Sequence, residues 1–223
     1  MPDDEFRRLS TGLRLLSLFH GKLRPTDGLE FWANHYGVVV DGFDPVIAGK
    51  AHDLCDGLVW EPLLEKVETG YYHGCGGGAP CSSFSAGRNT KDGGPRPLRT
   101  EKPPGIFGIK DLKPDEKECV RIGTLLAHRK VEMAELCYSK NLPFWAETPQ
   151  RREGCPSVFK LPRFLALESK DKVSITAFVQ CHLGARTPKP TDILCFGMAV
   201  DLPAKCIHPP LWWRVPWSGR WHW

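Results

Sequence analysis

The pattern that most constrains the fold of this chain lies between residues 13 and 45. An apolar run over residues 13–19 is followed by a loop, a helical segment over Leu29–His35 and a β-branched run over residues 38–43. An apolar run bounded by glycine is typical of a strand buried on both faces, as in parallel sheets. Two such strands joined through a helix open a doubly wound nucleotide-binding sheet. We therefore expect an α/β fold with a mostly parallel sheet.

Acidic residues follow the second of these strands. In a unit of this kind the first loop approaches a cofactor, and an acid at the end of the second strand accepts hydrogen bonds from ribose hydroxyls. Asp44 is the first choice for that acid and Asp41 the second, while Asp53 either faces an adenine or caps a helix over residues 58–68. The first loop lacks the spacing GxGxxG, so an ordinary βαβ unit with a capped strand end remains the alternative.

The stretch over residues 71–85, YYHGCGGGAPCSSFS, predicts a strand that ends in a tight loop presenting one thiol. Its three consecutive glycines permit close backbone approach or positive φ, and Pro80 fixes the direction in which Cys81 leaves the strand. A thiol beside backbone N–H groups and serine hydroxyls can have a lowered pKa and become a nucleophile. The alternative is an inert cysteine that fills space in the core.

A carboxylate follows a later predicted strand. Residues 112–141 have the apolar stripe of a helix, and they lead into a short buried strand over residues 142–146 that ends at Glu147. If this strand and the strand before Cys81 are parallel neighbours, Glu147 lies along the same sheet edge as the thiol. The alternative is that Glu147 pairs with Arg151 or Arg152 for structure.

The segment over residues 86–108 is rich in glycine, proline and basic residues. A long segment of this kind inside a compact domain is usually functional or disordered. Its basic residues either close over a phosphate-bearing substrate or keep a solvated loop soluble. The residues we expect to contact nucleic acid are Arg88, Arg96 and Arg99, together with Lys189.

The end of the chain predicts a late antiparallel hairpin and an aromatic tail. Strands are expected over residues 173–181 and 191–196, joined by a basic turn. The expected organisation is a polar leader over residues 1–12, one domain over 13–205 and a tail over 206–223 that contains five of the eight tryptophans. Aromatic and arginine residues alternate in that tail, so it either stacks bases or packs on its own domain or on a protein partner.

Composition excludes several classes of protein. No apolar run is long enough to cross a bilayer, and the N-terminus lacks the pattern of a cleaved leader. Nine cysteines without a framework spacing favour a reducing compartment, so we expect an intracellular protein of the cytoplasm or nucleus. There is no CxxC pair, HExxH, P-loop or GxSxG, and no metal site is expected.

Taken in order, five segments resemble the cytosine-5 DNA methyltransferases across roughly residues 13–197. They are LLSLFHG, VVVDGFDP, APCSSFS, FWAETPQ and QCHLGARTPKPTDIL. The resemblance implies the Rossmann-like fold of methyltransferases that use S-adenosylmethionine. It places Phe19 and Gly21 in the cofactor loop, Asp44 at the ribose and Pro80 beside the cofactor.

The resemblance also implies a covalent mechanism on cytosine. Cys81 would attack carbon 6 of the base, Glu147 would hydrogen-bond ring nitrogen 3, and Arg186 or Lys189 would supply the late basic motif. The target base would have to be turned out of the stack to reach the thiol. The expected partner is a nucleic acid, DNA before RNA.

Three features differ from the pattern of that family. Ala79 stands where the family has a proline, Thr148 stands where it has an asparagine, and few residues after position 193 remain for a target-recognition domain. These differences favour the alternative function, a catalytically inactive protein with the methyltransferase fold that binds nucleic acid or a protein partner.

Overall fold

The chain divides into two compact units in the computed structural model. The structure describes residues 11–24, 26, 28–78, 81–89, 94–183, 189–198, 213–214 and 221–222. Unit 1 comprises residues 1–79, 128–146 and 195–199. Unit 2 comprises residues 80–127, 147–194 and 200–223.

The main sheet has six strands in the order β2-β1-β3-β4-β6-β5. The strands are β1 Arg14–Leu18, β2 Val39–Phe43, β3 Gly74–Gly76, β4 Phe144–Pro149, β5 Val173–Val179 and β6 Pro190–Phe196. The sheet is mostly parallel, and the fold includes a late antiparallel pair. The α/β class predicted from the sequence is therefore confirmed.

Five α-helices accompany these strands among the described residues. They are α1 Leu29–His35, α2 Pro45–Ala48, α3 Gly57–Glu68, α4 Pro114–Ser139 and α5 Pro162–Glu168. Helices α1 and α3 lie in unit 1. Helix α1 has the bounds that the sequence predicts. The helix predicted over residues 112–141 is α4, whose first turn starts at a proline as helices commonly do.

The opening β1-α1-β2 unit is present in unit 1. Strands β1 and β2 are parallel, and Leu16 pairs with Asp41 in their register. Leu16 and Leu18 are fully buried, as expected for a strand covered on both faces. Gly37 has a φ of +73° where the chain turns from α1 into β2, a conformation that favours glycine.

Two glycines at the end of β3 are required by close contacts. A Cβ at Gly76 would lie 1.8 Å from the indole of Trp145. Gly77 has a φ of +129°, and a Cβ there would lie 1.9 Å from the carbonyl oxygen of Leu18. The prediction that these glycines serve close approach and positive φ is confirmed.

Strand β4 begins and ends two residues later than the sequence predicts. It was expected over residues 142–146 with its end at Glu147, but it runs from Phe144 through Thr148 and Pro149. A proline is tolerated as the last residue of a strand because no further ladder donor is needed there. Gln150 then donates its N–H to the carbonyl oxygen of Pro190 at 3.0 Å.

Parts of unit 2 whose sequence is typical of a protein surface contain buried residues. The basic segment contains short 3-10 turns at Ala86–Asn89 and Gly105–Phe107, and Ile106 is fully buried. The segment over residues 156–167 also contains buried residues. It forms a 3-10 turn and then α5, with Phe159 and Phe164 fully buried.

Two short strands lie near the end of the chain, β7 Trp213–Arg214 and β8 Trp221–His222. They pair antiparallel, with Trp213 opposite His222. The other residues of the predicted tail, and residues 1–10 of the predicted leader, lie outside the described part of the chain. In that described part, no helix has the length and apolar character needed to cross a membrane.

Candidate active site

Glu147 is the centre of a hydrogen-bonded group in unit 2. Its Oε1 accepts from Gln180 Nε2 at 2.7 Å and from Lys189 Nζ at 3.0 Å. Gln180 directly follows β5 and Lys189 directly precedes β6, and the Gln180 N–H donates to the Lys189 carbonyl oxygen at 3.2 Å. One carboxylate therefore holds both ends of the connection between two strands. The sequence did not single out Gln180, although it lies in the segment that carries the resemblance.

The alternative pairing of Glu147 with Arg151 is wrong. Arg151 Nε bonds Asp192 Oδ2 at 3.1 Å, and its Nη1 bonds Glu168 Oε2 at 3.0 Å. For Arg152, the carbonyl oxygen accepts from Lys160 Nζ at 2.6 Å. Glu147 is instead bonded to Gln180 and Lys189.

Cys81 begins a turn over residues 81–84, which we call the thiol turn. Its carbonyl oxygen accepts the Phe84 N–H at 3.0 Å, and the residue is half-buried. Burial raises the pKa of the Cys81 thiol above its ordinary value. The Lys189 ammonium and the residue's own backbone N–H act to lower that pKa, and the Glu147 carboxylate adds to the rise.

These interactions define a thiol cluster that consists of Cys81, Glu147 and Lys189. All three residues belong to unit 2, and both charges act on the sulfur. Lys189 is about half exposed, with 52% of its side chain accessible, while Glu147 is one third exposed. A thiol, a carboxylate and an ammonium group that is open to solvent can together support nucleophilic addition to a polar substrate.

Arg99 lies beneath the thiol turn and is 1% exposed. Its Nε donates to Ser83 Oγ at 3.1 Å, and its Cζ lies 3.7 Å from the centre of the Phe84 ring. Burial lowers the pKa of Arg99 to about 10, so the guanidinium is charged at neutral pH. The prediction that Arg99 contacts nucleic acid does not fit this position, because the group is enclosed by protein.

The other two arginines of the basic segment also make contacts within unit 2. Arg88 donates to the carbonyl oxygen of Ser82 at 2.7 Å and to that of Arg96 at 3.3 Å. Arg96 forms a two-pronged ion pair with Glu116. The hydrogen bond from Arg96 lowers the pKa of Glu116 to about 2, so the pair stays charged over the whole physiological range. Nucleic-acid contacts by Arg88 and Arg96 stay a prediction.

In unit 1, the predicted cofactor loop is tied to the predicted ribose acid. Gly21 donates its N–H to Asp44 Oδ2 at 3.0 Å, and Asp44 Oδ1 caps α2 by accepting the Val46 N–H at 2.8 Å. Phe19 and Gly21 both have positive φ, which bends the chain sharply after β1. Asp41, the second choice, is engaged elsewhere: it bonds the Tyr72 hydroxyl at 3.0 Å and Arg14.

Asp53 stabilises a turn and does not cap the following helix. Its Oδ1 accepts the Cys55 N–H at 2.9 Å, whereas the cap of α3 is Asp56, which accepts the Leu58 N–H. The residue before Asp53 is His52, and its ring stacks on that of Phe43 with centroids 4.5 Å apart. This aromatic pair joins the last residue of β2 to the turn before Asp53 and was not identified from the sequence.

His20 anchors the first loop. Its Nε2 lies 2.5 Å from Glu30 Oε1 of α1, and its Nδ1 lies 2.7 Å from Ser17 Oγ of β1. A Cβ at Gly42 would lie 2.9 Å from the His20 ring, so β2 leaves space for the imidazole. A single histidine in a loop gives no pattern in the sequence, and this anchor was therefore missed.

Two predicted site residues, Pro80 and Arg186, lie outside the described residues. Within the ranges that the structure describes, no group of three or more histidine, cysteine or acidic side chains could hold a metal ion. No family model matches the chain, and no curated protein matches it either.

Proposed function

We propose that this protein transfers a methyl group from S-adenosylmethionine to carbon 5 of cytosine in DNA, through a covalent intermediate on Cys81. The observation that carries the proposal is the thiol cluster, in which the charges of Glu147 and Lys189 act on the Cys81 sulfur. A thiol and a carboxylate in this arrangement are the pair that the resemblance implies.

The chemistry assigned to this pair is addition followed by elimination. The Cys81 sulfur forms a bond to carbon 6, and the electron pair of the ring double bond moves toward carbon 5. Glu147 in its protonated form donates a hydrogen bond to ring nitrogen 3 and stabilises the negative charge that develops in the ring. After carbon 5 has gained a methyl group, loss of its proton restores the double bond and expels the thiolate.

The protonation state of Cys81 sets the first requirement of this mechanism. Burial raises the pKa of the thiol, so the sulfur is protonated at rest. Because the thiolate is the nucleophile, the thiol proton must pass to the Glu147 carboxylate or to solvent before attack. Lys189 stabilises the thiolate, and its exposed side chain is open to a phosphate of the substrate.

Residues of unit 1 fit the ribose of S-adenosylmethionine. Each oxygen of Asp44 accepts one backbone N–H, and a carboxylate oxygen has a second lone pair for a ribose hydroxyl. The Phe43 and His52 rings offer an aromatic surface beside it. When bound, the cofactor supplies an electrophilic methyl group.

Loss of methyl transfer in Cys81→Ala is the test of this proposal. Transfer of labelled methyl groups from S-adenosylmethionine to cytosine-containing DNA is measured, with RNA of the same sequence as the competing substrate. Cys155→Ala is the matched control, since Cys155 is another half-exposed cysteine of unit 2. We expect loss in Cys81→Ala and retention in Cys155→Ala. Activity that survives Cys81→Ala rejects the mechanism.

A second candidate is an inactive protein with the same fold that binds nucleic acid or a protein partner. It is favoured by Thr148, which is 2% exposed and stands where the resembling family has an asparagine. A DNA duplex that contains 5-fluorocytosine separates the two functions. A covalent adduct on Cys81 supports the enzyme, and binding without an adduct supports the second candidate.

A further inference from the structure

We propose that Arg99 is a positioning residue for Cys81, because its buried guanidinium fixes the thiol turn over residues 81–84. The inference deepens the proposed function, since it rests on Cys81 as the nucleophile. It assigns to Arg99 a role inside the protein, beneath the reacting group, where the sequence predicted a contact with nucleic acid.

The guanidinium makes five hydrogen bonds in unit 2. Nε and Nη2 each donate to Ser83 Oγ at 3.1 Å. Nη1 donates to the Ile106 carbonyl oxygen at 2.6 Å, and Nη2 also donates to the Val120 carbonyl oxygen at 2.8 Å and to Thr124 Oγ1 at 3.0 Å. These donors belong to one rigid planar group, so the acceptors are held in a fixed relation to one another.

Two of the contacts lead directly to Cys81. Ser83 is the acceptor for two of the donors, and Phe84 stacks on the guanidinium with its ring centre 3.7 Å from Cζ. Phe84 in turn donates its N–H to the Cys81 carbonyl oxygen at 3.0 Å. Arg99 therefore holds the two residues that close the turn, and the turn sets the direction of the thiol.

Helix α4 leaves space for this arrangement at one residue. A Cβ at Gly123 would lie 2.4 Å from Ser83 Oγ and 3.3 Å from Arg99 Nη2. Any side chain at Gly123 would push against the hydroxyl that Arg99 holds. Gly123→Ala therefore displaces the thiol turn without removing a charge or a hydrogen-bonding group.

The four acceptor atoms of Arg99 are neutral oxygens, which makes a purely stabilising role a poor explanation. Taking a charge out of water has a large cost, and an apolar residue of similar volume is often as stabilising or more so. The fixed fork of donors explains the arginine better, because it orders three segments of chain around the turn.

The test compares four variants with the wild-type protein. Ser83→Ala removes one acceptor, Gly123→Ala displaces it, and Arg99→Lys keeps the charge but loses the fork. Gly57→Ala is the matched control for the glycine change, since a Cβ at Gly57 would have nothing within 4 Å.

The readout is the rate and pH profile of iodoacetamide alkylation at Cys81, followed by peptide mass spectrometry. Cys155 in the same molecule is the internal reference because it is also half-exposed in unit 2. Thermal unfolding and methyl transfer are recorded in parallel.

We expect the Cys81-to-Cys155 alkylation ratio to change about threefold or more in Ser83→Ala and Gly123→Ala. We also expect kcat for methyl transfer to fall about tenfold or more at constant KM for the cofactor, because a small misplacement of a reacting group greatly lowers the reaction rate. Gly57→Ala should match the wild type. If Arg99→Lys fails to fold, Ser83→Ala and Gly123→Ala still test the positioning role.

An unchanged ratio in folded Ser83→Ala and Gly123→Ala overturns the inference, even if thermal stability falls. If the alkylation ratio changes in these variants but the wild-type protein itself transfers no methyl group, the positioning role is supported and the proposed function is rejected. The two failures are therefore distinguishable.

Discussion

Lys189 Nζ donates to Glu147 Oε1 at 3.0 Å, and the two charges have opposite effects on the pKa of the Cys81 thiol. The ammonium favours the thiolate and the carboxylate favours the thiol. Because burial has already raised the pKa of the thiol, the balance of these two charges determines how readily the sulfur ionises.

Removal of the Lys189 charge and removal of the Glu147 charge should shift the Cys81 pKa in opposite directions. In Lys189→Met the pKa rises further, since a stabilising cation is lost, and the alkylation profile moves to higher pH. In Glu147→Gln the pKa falls, since a repelling anion is lost, and the profile moves to lower pH. The shift in Lys189→Met should be smaller in high salt, because Lys189 is exposed.

Lys117→Met is the control for this pair, because Lys117 is an exposed lysine of the same unit. Iodoacetamide alkylation between neutral and alkaline pH measures all three profiles. Movement of the Lys189 and Glu147 variants in the same direction would contradict the assigned electrostatics.

Gln180 should affect methyl transfer but leave the thiol pKa unchanged. Gln180→Met removes the neutral donor that bonds Glu147 Oε1 at 2.7 Å and changes no charge. A hydrogen bond to a charged group contributes about 1.5–3 kcal/mol, so a rate loss of about tenfold is expected when Glu147 is less firmly held. Single-turnover transfer and the alkylation profile are measured on the same preparation. A shifted profile with unchanged transfer would contradict this role.

The parts of this molecule that the sequence predicts are those with a local signal. Helix α1 and strand β1 follow from apolar patterns bounded by glycine, and Asp44 follows from its place after β2. Cys81 and Glu147 were singled out because each follows a predicted strand, and the structure places both in unit 2, while their chemical roles stay a prediction. Each of these predictions needed only neighbouring residues.

The predictions that fail depend on contacts between distant residues. Arg99 lies in a glycine- and proline-rich segment typical of a surface loop, yet its partners Ser83 and Val120 are 16 and 21 residues away. Gln180 and Glu147 are 33 residues apart. No periodicity reports such pairs, because a buried polar group is identified by its partners and not by its neighbours in sequence.

Substitutions at Asp44 should separate its structural role from its proposed role at the ribose. Asparagine can still cap α2 through its Oδ1, but its Nδ2 cannot accept the Gly21 N–H, so Asp44→Asn should lose about 1 kcal/mol of unfolding free energy in urea. Asp44→Ala lacks both acceptors and should lose about 2 kcal/mol. Calorimetry with S-adenosylhomocysteine should show weaker binding to both variants. Unchanged affinity in Asp44→Asn would exclude the carboxylate from the ribose.

The contact between Gly76 and Trp145 predicts a large effect from a single methyl group in unit 1. A Cβ at Gly76 would lie 1.8 Å from the Trp145 indole, well inside van der Waals contact, so the ring or the strand must shift. Overpacking of this kind costs about 1–3 kcal/mol, and Gly76→Ala should lower the free energy of urea unfolding by about 2 kcal/mol.

A double-variant cycle identifies the indole as the cause of that loss. Trp145→Leu removes the ring, so adding Gly76→Ala in that background should cost less than it does in the wild type. Gly57→Ala, whose Cβ would meet nothing within 4 Å, should leave the unfolding free energy unchanged or slightly raised. Equal costs of Gly76→Ala in both backgrounds would mean that backbone conformation, and not the tryptophan, requires glycine at this position.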